Sequence, residues 1–95
     1  MNQFQKYITQ GNSLYAIWCD QSKVLKFSSS SDNGQTWLAH EEISVIEDVH
    51  SINFSVDELG NVFILIDSLE KQTLYRKKAY ETGFSAVFLD LEMIA

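Results

Sequence analysis

The stretch that decides the fold is Ser28–Trp37, "SSSSDNGQTW". Nine of its ten residues are small, polar or turn-forming, and the tenth is a tryptophan. A solvated linker has no reason to end on a large aromatic. A tight turn between two strands does. Gly34 accepts positive φ without a Cβ penalty, and Asp32 can accept hydrogen bonds from the turn's own amides. On this reading Thr36 and Trp37 begin the next strand, and the indole covers the turn as a lid.

The flanks agree with a turn. "SINFSV" (51–56) alternates Ile52, Phe54 and Val56 against Ser51, Asn53 and Ser55, the period of a half-buried strand. "LYAIWC" (14–19) and "VFILI" (62–66) are short runs of branched and aromatic residues, which suit strands buried on both faces. Turn signals fall between them at short intervals: Gly11-Asn12, Asp20-Gln21-Ser22, Asp32-Asn33-Gly34, Gly60-Asn61 and Glu81-Thr82-Gly83. That spacing predicts an all-β chain. One stretch competes, because "AHEEISVIEDVH" sets Ala39, Ile43, Ile46 and His50 at helical spacing.

The chain also repeats itself. Gly11-Asn12 followed by "SLYAIWCD" resembles Gly60-Asn61 followed by "VFILID", an offset of 49. At the same offset Val24-Leu25-Lys26-Phe27 falls on Thr73-Leu74-Tyr75-Arg76, Asp32 on Glu81, Gly34 on Gly83 and Thr36 on Ser85. With a first loop one residue shorter, Phe4 and Ile8 fall on Ile52 and Val56. Two units follow, 1–47 and 48–95, each of four strands, and a period near 50 is that of a propeller blade.

Ser30-x-Asp32-x-Gly34-x-Thr36-Trp37 resembles the Asp-box, the S-x-D-x-G-x-T-W bacterial neuraminidase repeat of sialidases and many other β-propellers. All five defining positions match, after the third strand of a four-strand unit. The second unit carries a worn copy, Ala79–Ala86, which keeps an acid, the glycine and a hydroxyl but lacks the first serine and the tryptophan. The resemblance implies two four-stranded antiparallel blades, each Asp-box lying at the blade periphery with a structural role. Asp32 is then a turn-holder. A calcium loop needs several oxygen ligands at alternating positions and a closing Glu, and "DNGQTWLAHEE" lacks that spacing.

Sialidase activity, which the resemblance first suggests, is not expected. That family grips its substrate carboxylate with three arginines, and this chain has one, Arg76. The Tyr80-Glu81 pair sits in the worn box, where a turn explains it. His40 and His50 are too sparse to define a metal or acid/base site. No catalytic residue, metal ligand or cofactor is expected.

Composition narrows the partners. The 95 residues carry a formal charge of −6. No Lys or Arg occurs between Lys26 and Lys71, where Asp32, Glu41, Glu42, Glu47, Asp48, Asp57, Glu58, Asp67 and Glu70 all fall. Phosphate recognition needs clustered cations, so neither nucleic acid nor an anionic membrane is expected as a partner. Arg76-Lys77-Lys78 reads as a solvated strand end. Cys19, the one cysteine, reads as a buried inert thiol. No leader-like N-terminus and no apolar run of about 20 residues is present, which makes a cytoplasmic location the default.

Two blades cannot close a propeller, which needs about four to eight. The expected resolution is a homotrimeric six-bladed ring. A larger propeller completed elsewhere, or a two-sheet sandwich, are the alternatives. In the ring, ligands would meet Trp18, Asp20, Glu47, His50 and Asp67 on one rim. An aromatic beside carboxylates suits a sugar, so a glycan is the candidate ligand, with core packing the competing reading of Trp18 and a protein-interaction or purely structural ring the opposed function.

Overall fold

The structure is a computed structural model and describes residues 4–21, 23–46, 49–68 and 71–89. It is all-β. Eight strands form two four-stranded antiparallel sheets, with no helix among the described residues. The first is the meander β1 (Phe4–Gln10), β2 (Ser13–Cys19), β3 (Val24–Ser30) and β4 (Glu41–Val45). The second is the meander β5 (Val49–Val56), β6 (Val62–Ser68), β7 (Gln72–Lys77) and β8 (Ser85–Leu89). The chain divides into two compact units, Met1–Ile46 and Glu47–Ala95.

The helical spacing of Ala39, Ile43, Ile46 and His50 has another cause. Ile43 and Ile46 belong to β4 and its end, and His50 to β5. β4 meets β3 with a bulge: Leu25 faces Ser44 and Lys26 faces Glu42, which leaves Ile43 as the extra residue. One inserted residue breaks the period of two and mimics a helical one. A second register shift lies between Val49 and Ser51, at His50.

In the first sheet, cross-strand pairing puts Ile8, Tyr15, Ile17, Cys19, Leu25 and Phe27 on one face. Ile17 and Leu25 are fully buried and Phe27 nearly so. The other face carries Gln5, Tyr7, Leu14, Ala16, Trp18, Lys26, Ser28 and Ser30. In the second sheet Ile52, Val62, Ile64, Ile66 and Thr73 are buried on one face. Phe63, Leu65 and Leu74 are half-buried on the other. The two apolar runs therefore differ from the expectation of equal burial: each has one closed face and one partly open face.

The internal repeat holds in β2 and β6 at an offset of 49 but not in their neighbours. Ile17 faces Phe27 and Lys6, while Ile66 faces Thr73 and Ile52. Phe27 thus corresponds to Thr73, and Ile8 to Phe54 rather than Val56. Hairpin lengths are the reason. Gln10 faces Ser13 across the two residues Gly11 and Asn12, whereas Val56 faces Val62 across five. Gly11, at φ 61, makes the short loop possible. A three-residue contraction between β6 and β7 reverses the shift.

Candidate functional site

The opening stretch is half strand and half turn. Ser28–Ser30 end β3, and the turn proper begins at Ser31. Ser30 Oγ donates to Asp32 Oδ1 at 2.7 Å and accepts from the Asp32 and Gly34 amides at 3.3 and 2.8 Å. Asp32 Oδ1 accepts from the Thr36 amide at 2.9 Å, and Asp32 Oδ2 accepts from the Thr36 hydroxyl. Trp37 Nε1 donates to the Gly34 carbonyl at 3.1 Å. Gly34 sits at φ 86, and a Cβ there would lie 2.9 Å from Leu14 Cδ1 and 3.8 Å from Trp37 Cζ2. Backbone conformation and space both require glycine. Asn33, at φ 62, is a residue type that tolerates the left-handed region.

The Asp32 carboxyl is pulled down to about 2, first by the Thr36 hydroxyl, then by the Thr36 amide, then by the Ser30 hydroxyl. Its unfolded value is about 3.9. A carboxylate whose folded pKa is depressed contributes its full stability above the unfolded value and loses it as pH falls towards the folded one. Wild type should therefore lose stability between about pH 4 and pH 2, and the Asp32→Asn variant should lose less over that window. Thermal midpoints taken every half pH unit test this; parallel curves for the two proteins would overturn it.

Thr36 and Trp37 do not begin the fourth strand. β4 starts at Glu41, and residues 37–40 form a strap across the second face of the first sheet. Two bonds pin the strap: the Leu38 amide to the Ser29 carbonyl at 3.0 Å, and Ser28 Oγ to the Leu38 carbonyl at 2.7 Å. The indole of Trp37 caps the turn but stays 42% exposed, so it is a partial lid.

Strap and sheet enclose an open cleft of about 500 Å³, lined by Gln5, Tyr7, Ala16, Trp18, Ser28 and the residues 37–40. Trp18 meets the His40 ring edge-on, centroids 6.0 Å apart at 66°. Tyr7 donates its hydroxyl to Gln5 Oε1 at 2.9 Å. The cleft is rich in aromatic side chains, and its polar groups include the Gln5 amide, the Tyr7 and Ser28 hydroxyls and the His40 imidazole. Its signal in the sequence was faint, since Gln5, Tyr7 and His40 look like ordinary surface positions until the strap is drawn across them.

The rim residues named from the sequence are not gathered into this cleft. Trp18 lines it. Asp20 lies just beyond β2 and accepts a salt bridge from Lys26 Nζ at 3.0 Å. His50 is exposed at the β5 bulge and Asp67 is half-buried on β6, both in the other unit. Glu47 lies outside the described residues. Among those described, no group of three His, Cys, Asp or Glu side chains could hold a metal ion, and no helix is long and apolar enough to cross a membrane. Cys19 is buried, and burial pushes its thiol up, which favours an inert role.

The second unit has a knot that the sequence did not advertise. Asp57 Oδ1 accepts from the Leu59 and Asn61 amides at 3.0 and 2.9 Å, and Oδ2 accepts from Asn61 Nδ2 at 2.9 Å. Asn61 Oδ1 in turn accepts from the Ala79 amide at 2.9 Å. These bonds, Asn61's above all, hold the Asp57 carboxyl below its usual range. Asp57 thus anchors the β5–β6 loop and, through Asn61, ties it to the β7–β8 connection. An acid four residues before a loop asparagine was the available clue.

No family model, curated protein or solved structure matches the chain.

Proposed function

We propose that the chain is a non-enzymatic module of two Asp-box propeller blades, and that three copies close head to tail into a six-bladed ring. The supporting observation is the Ser30–Trp37 turn. Every polar group that distinguishes its sequence is spent on the turn's own hydrogen bonds, which leaves Asp32 a structural anchor. That turn leaves the third strand of a four-strand meander, and the meander occurs twice. Each chain brings one arginine, Arg76, and it stands on β7, the third strand of its sheet, so three copies would carry their arginines on outer-half strands and not around the axis as a sialidase-like site requires. Heterologous contacts close a ring when the rotation between copies suits.

Light scattering tests the ring. The expected native mass is three times 10.9 kDa; a mass of one chain at every concentration would remove the reading. The aromatic cleft favours a second reading, a sugar-binding module, because a pyranose can lay its apolar face on Trp18 and offer hydroxyls to Gln5. A glycan array separates the two: a signal abolished by Trp18→Ala supports the lectin, and a blank array leaves the ring as scaffold.

A further inference from the structure

We propose that the cleft of the first sheet binds a quaternary ammonium group, held against the rings of Tyr7, Trp18, Trp37 and His40. The site needs only the cleft and not the ring, and its ligand is a cation where a sugar is neutral.

Aromatic side chains surround a small floor. Cross-strand pairing sets Tyr7 beside Ala16 and Ala16 beside Ser28, and Ala16 is buried. Trp18 follows Ala16 two residues along on the same face, and the strap adds Trp37 and His40 to the lining. Trp18 and His40 stand at 66° with centroids 6.0 Å apart. A cation lodged in the angle between them lies within about 6 Å of both rings, the range of a cation–π contact. Three of the lining's protons are already committed: Tyr7 to Gln5 Oε1, Ser28 to the Leu38 carbonyl and Trp37 to the Gly34 carbonyl. Those side chains keep their ring faces and hydroxyl oxygens, the electron-rich parts that attract a cation. A quaternary ammonium donates and accepts no hydrogen bond, so it loses nothing by the commitment.

Charge selects a cation over a neutral guest. No Lys or Arg lines the cleft. The row Gln5–Trp18–Lys26–Glu42 crosses the same face, and Asp20 holds the Lys26 ammonium at 3.0 Å. The lysine's charge is thus matched before Glu42 is counted, and carboxylates are in excess at the Trp18 end. The whole chain, at −6, raises the local concentration of cations further. An anionic sugar meets the opposite field, and a neutral one gains nothing from it. A cleft of about 500 Å³ has room for the trimethylammonium head and part of what carries it. Choline, a phosphatidylcholine headgroup and a trimethyllysine side chain share that chemistry.

Proton NMR of choline chloride with the full chain tests the site. The N-methyl protons should move upfield, because ring currents shift protons held over aromatic faces, and the shift should saturate. Dimethylbutanol, the uncharged carbon isostere of choline, should bind about 2- to 30-fold more weakly, the range of a cation–π contribution. Trp18→Leu keeps an apolar side chain without the π face and should lose the choline shift with an unchanged circular dichroism spectrum. Tyr7→Leu, at a residue 62% exposed, should weaken choline as well and replaces Trp18→Leu should that variant fail to fold. Glu42→Gln, also at an exposed residue, should weaken choline and leave dimethylbutanol unchanged. Tighter binding of a trimethyllysine peptide, or of phosphatidylcholine vesicles, identifies the carrier and supports the site in either case. Equal binding of choline and dimethylbutanol, or a choline shift that survives in a folded Trp18→Leu, overturns it. No choline shift also overturns it, and a Trp18-dependent glycan signal then keeps the sugar. A choline shift beside a blank glycan array supports the site and removes the sugar.

Discussion

Replacing Phe27 with alanine is expected to cost about 3–5 kcal/mol of folding stability. The ring lies in β3 opposite Ile17, and only 2% of the residue's surface remains exposed. Ile17 and Leu25, on the same face, are fully buried, so the neighbourhood cannot refill the space without moving strands. Small domains have about 5–15 kcal/mol in total, so the variant should sit close to unfolding at room temperature. Urea titration should show a lower midpoint at an unchanged slope, the mark of lost stability without a change in exposed surface. A cost under about 1 kcal/mol, below even a conservative core truncation, would mean that the face is not packed as described.

The second large effect is expected at Ser30. Its hydroxyl bonds to the Asp32 carboxylate and accepts two backbone amides, and the residue is 4% exposed. Ser30→Ala removes the only side chain that reaches all three groups and strands the Gly34 amide in a part-buried turn. Leaving a buried donor unsatisfied costs about 1–3 kcal/mol, and each kcal/mol lowers the melting midpoint of a domain this size by about 4–8 °C. The neighbouring Ser31 is exposed, and Ser31→Ala should change stability by less than about 0.5 kcal/mol. Equal effects at these two adjacent serines would refute the network.

That contrast shows what the sequence could and could not say. The all-β class was legible, because alternation and turn residues are local and "SINFSV" needs no partner to be read. The turn's internal bonding was legible for the same reason, since Ser30, Asp32, Gly34, Thr36 and Trp37 satisfy one another within eight residues. The register was not. Aligned on its glycines, the second unit looked like an offset of 49 throughout, yet hairpins of different length shift β1 and β3 against their counterparts. Helical spacing at Ala39–His50 competed with the strand reading because it runs across a strap, a bulge at Ile43 and a second register shift at His50. The cleft was invisible because it depends on where four residues of strap come to rest. That placement is fixed by Ser28 and Ser29, which in sequence are two members of a serine run.

Asn33–Gly34 carries a consequence for chemical ageing. In this dipeptide the glycine nitrogen readily attacks the asparagine side chain, expels ammonia and leaves a succinimide, one reason asparagine counts as thermolabile. Here the attacking nitrogen is engaged: its hydrogen lies along a 2.8 Å bond to Ser30 Oγ. The asparagine's own amide is held as well, by the Asn12 carbonyl at 2.9 Å. The turn thus restrains the motion that cyclisation requires. An isoaspartate at this position would mark molecules whose hairpin had opened, a clock that runs on local unfolding rather than on time alone.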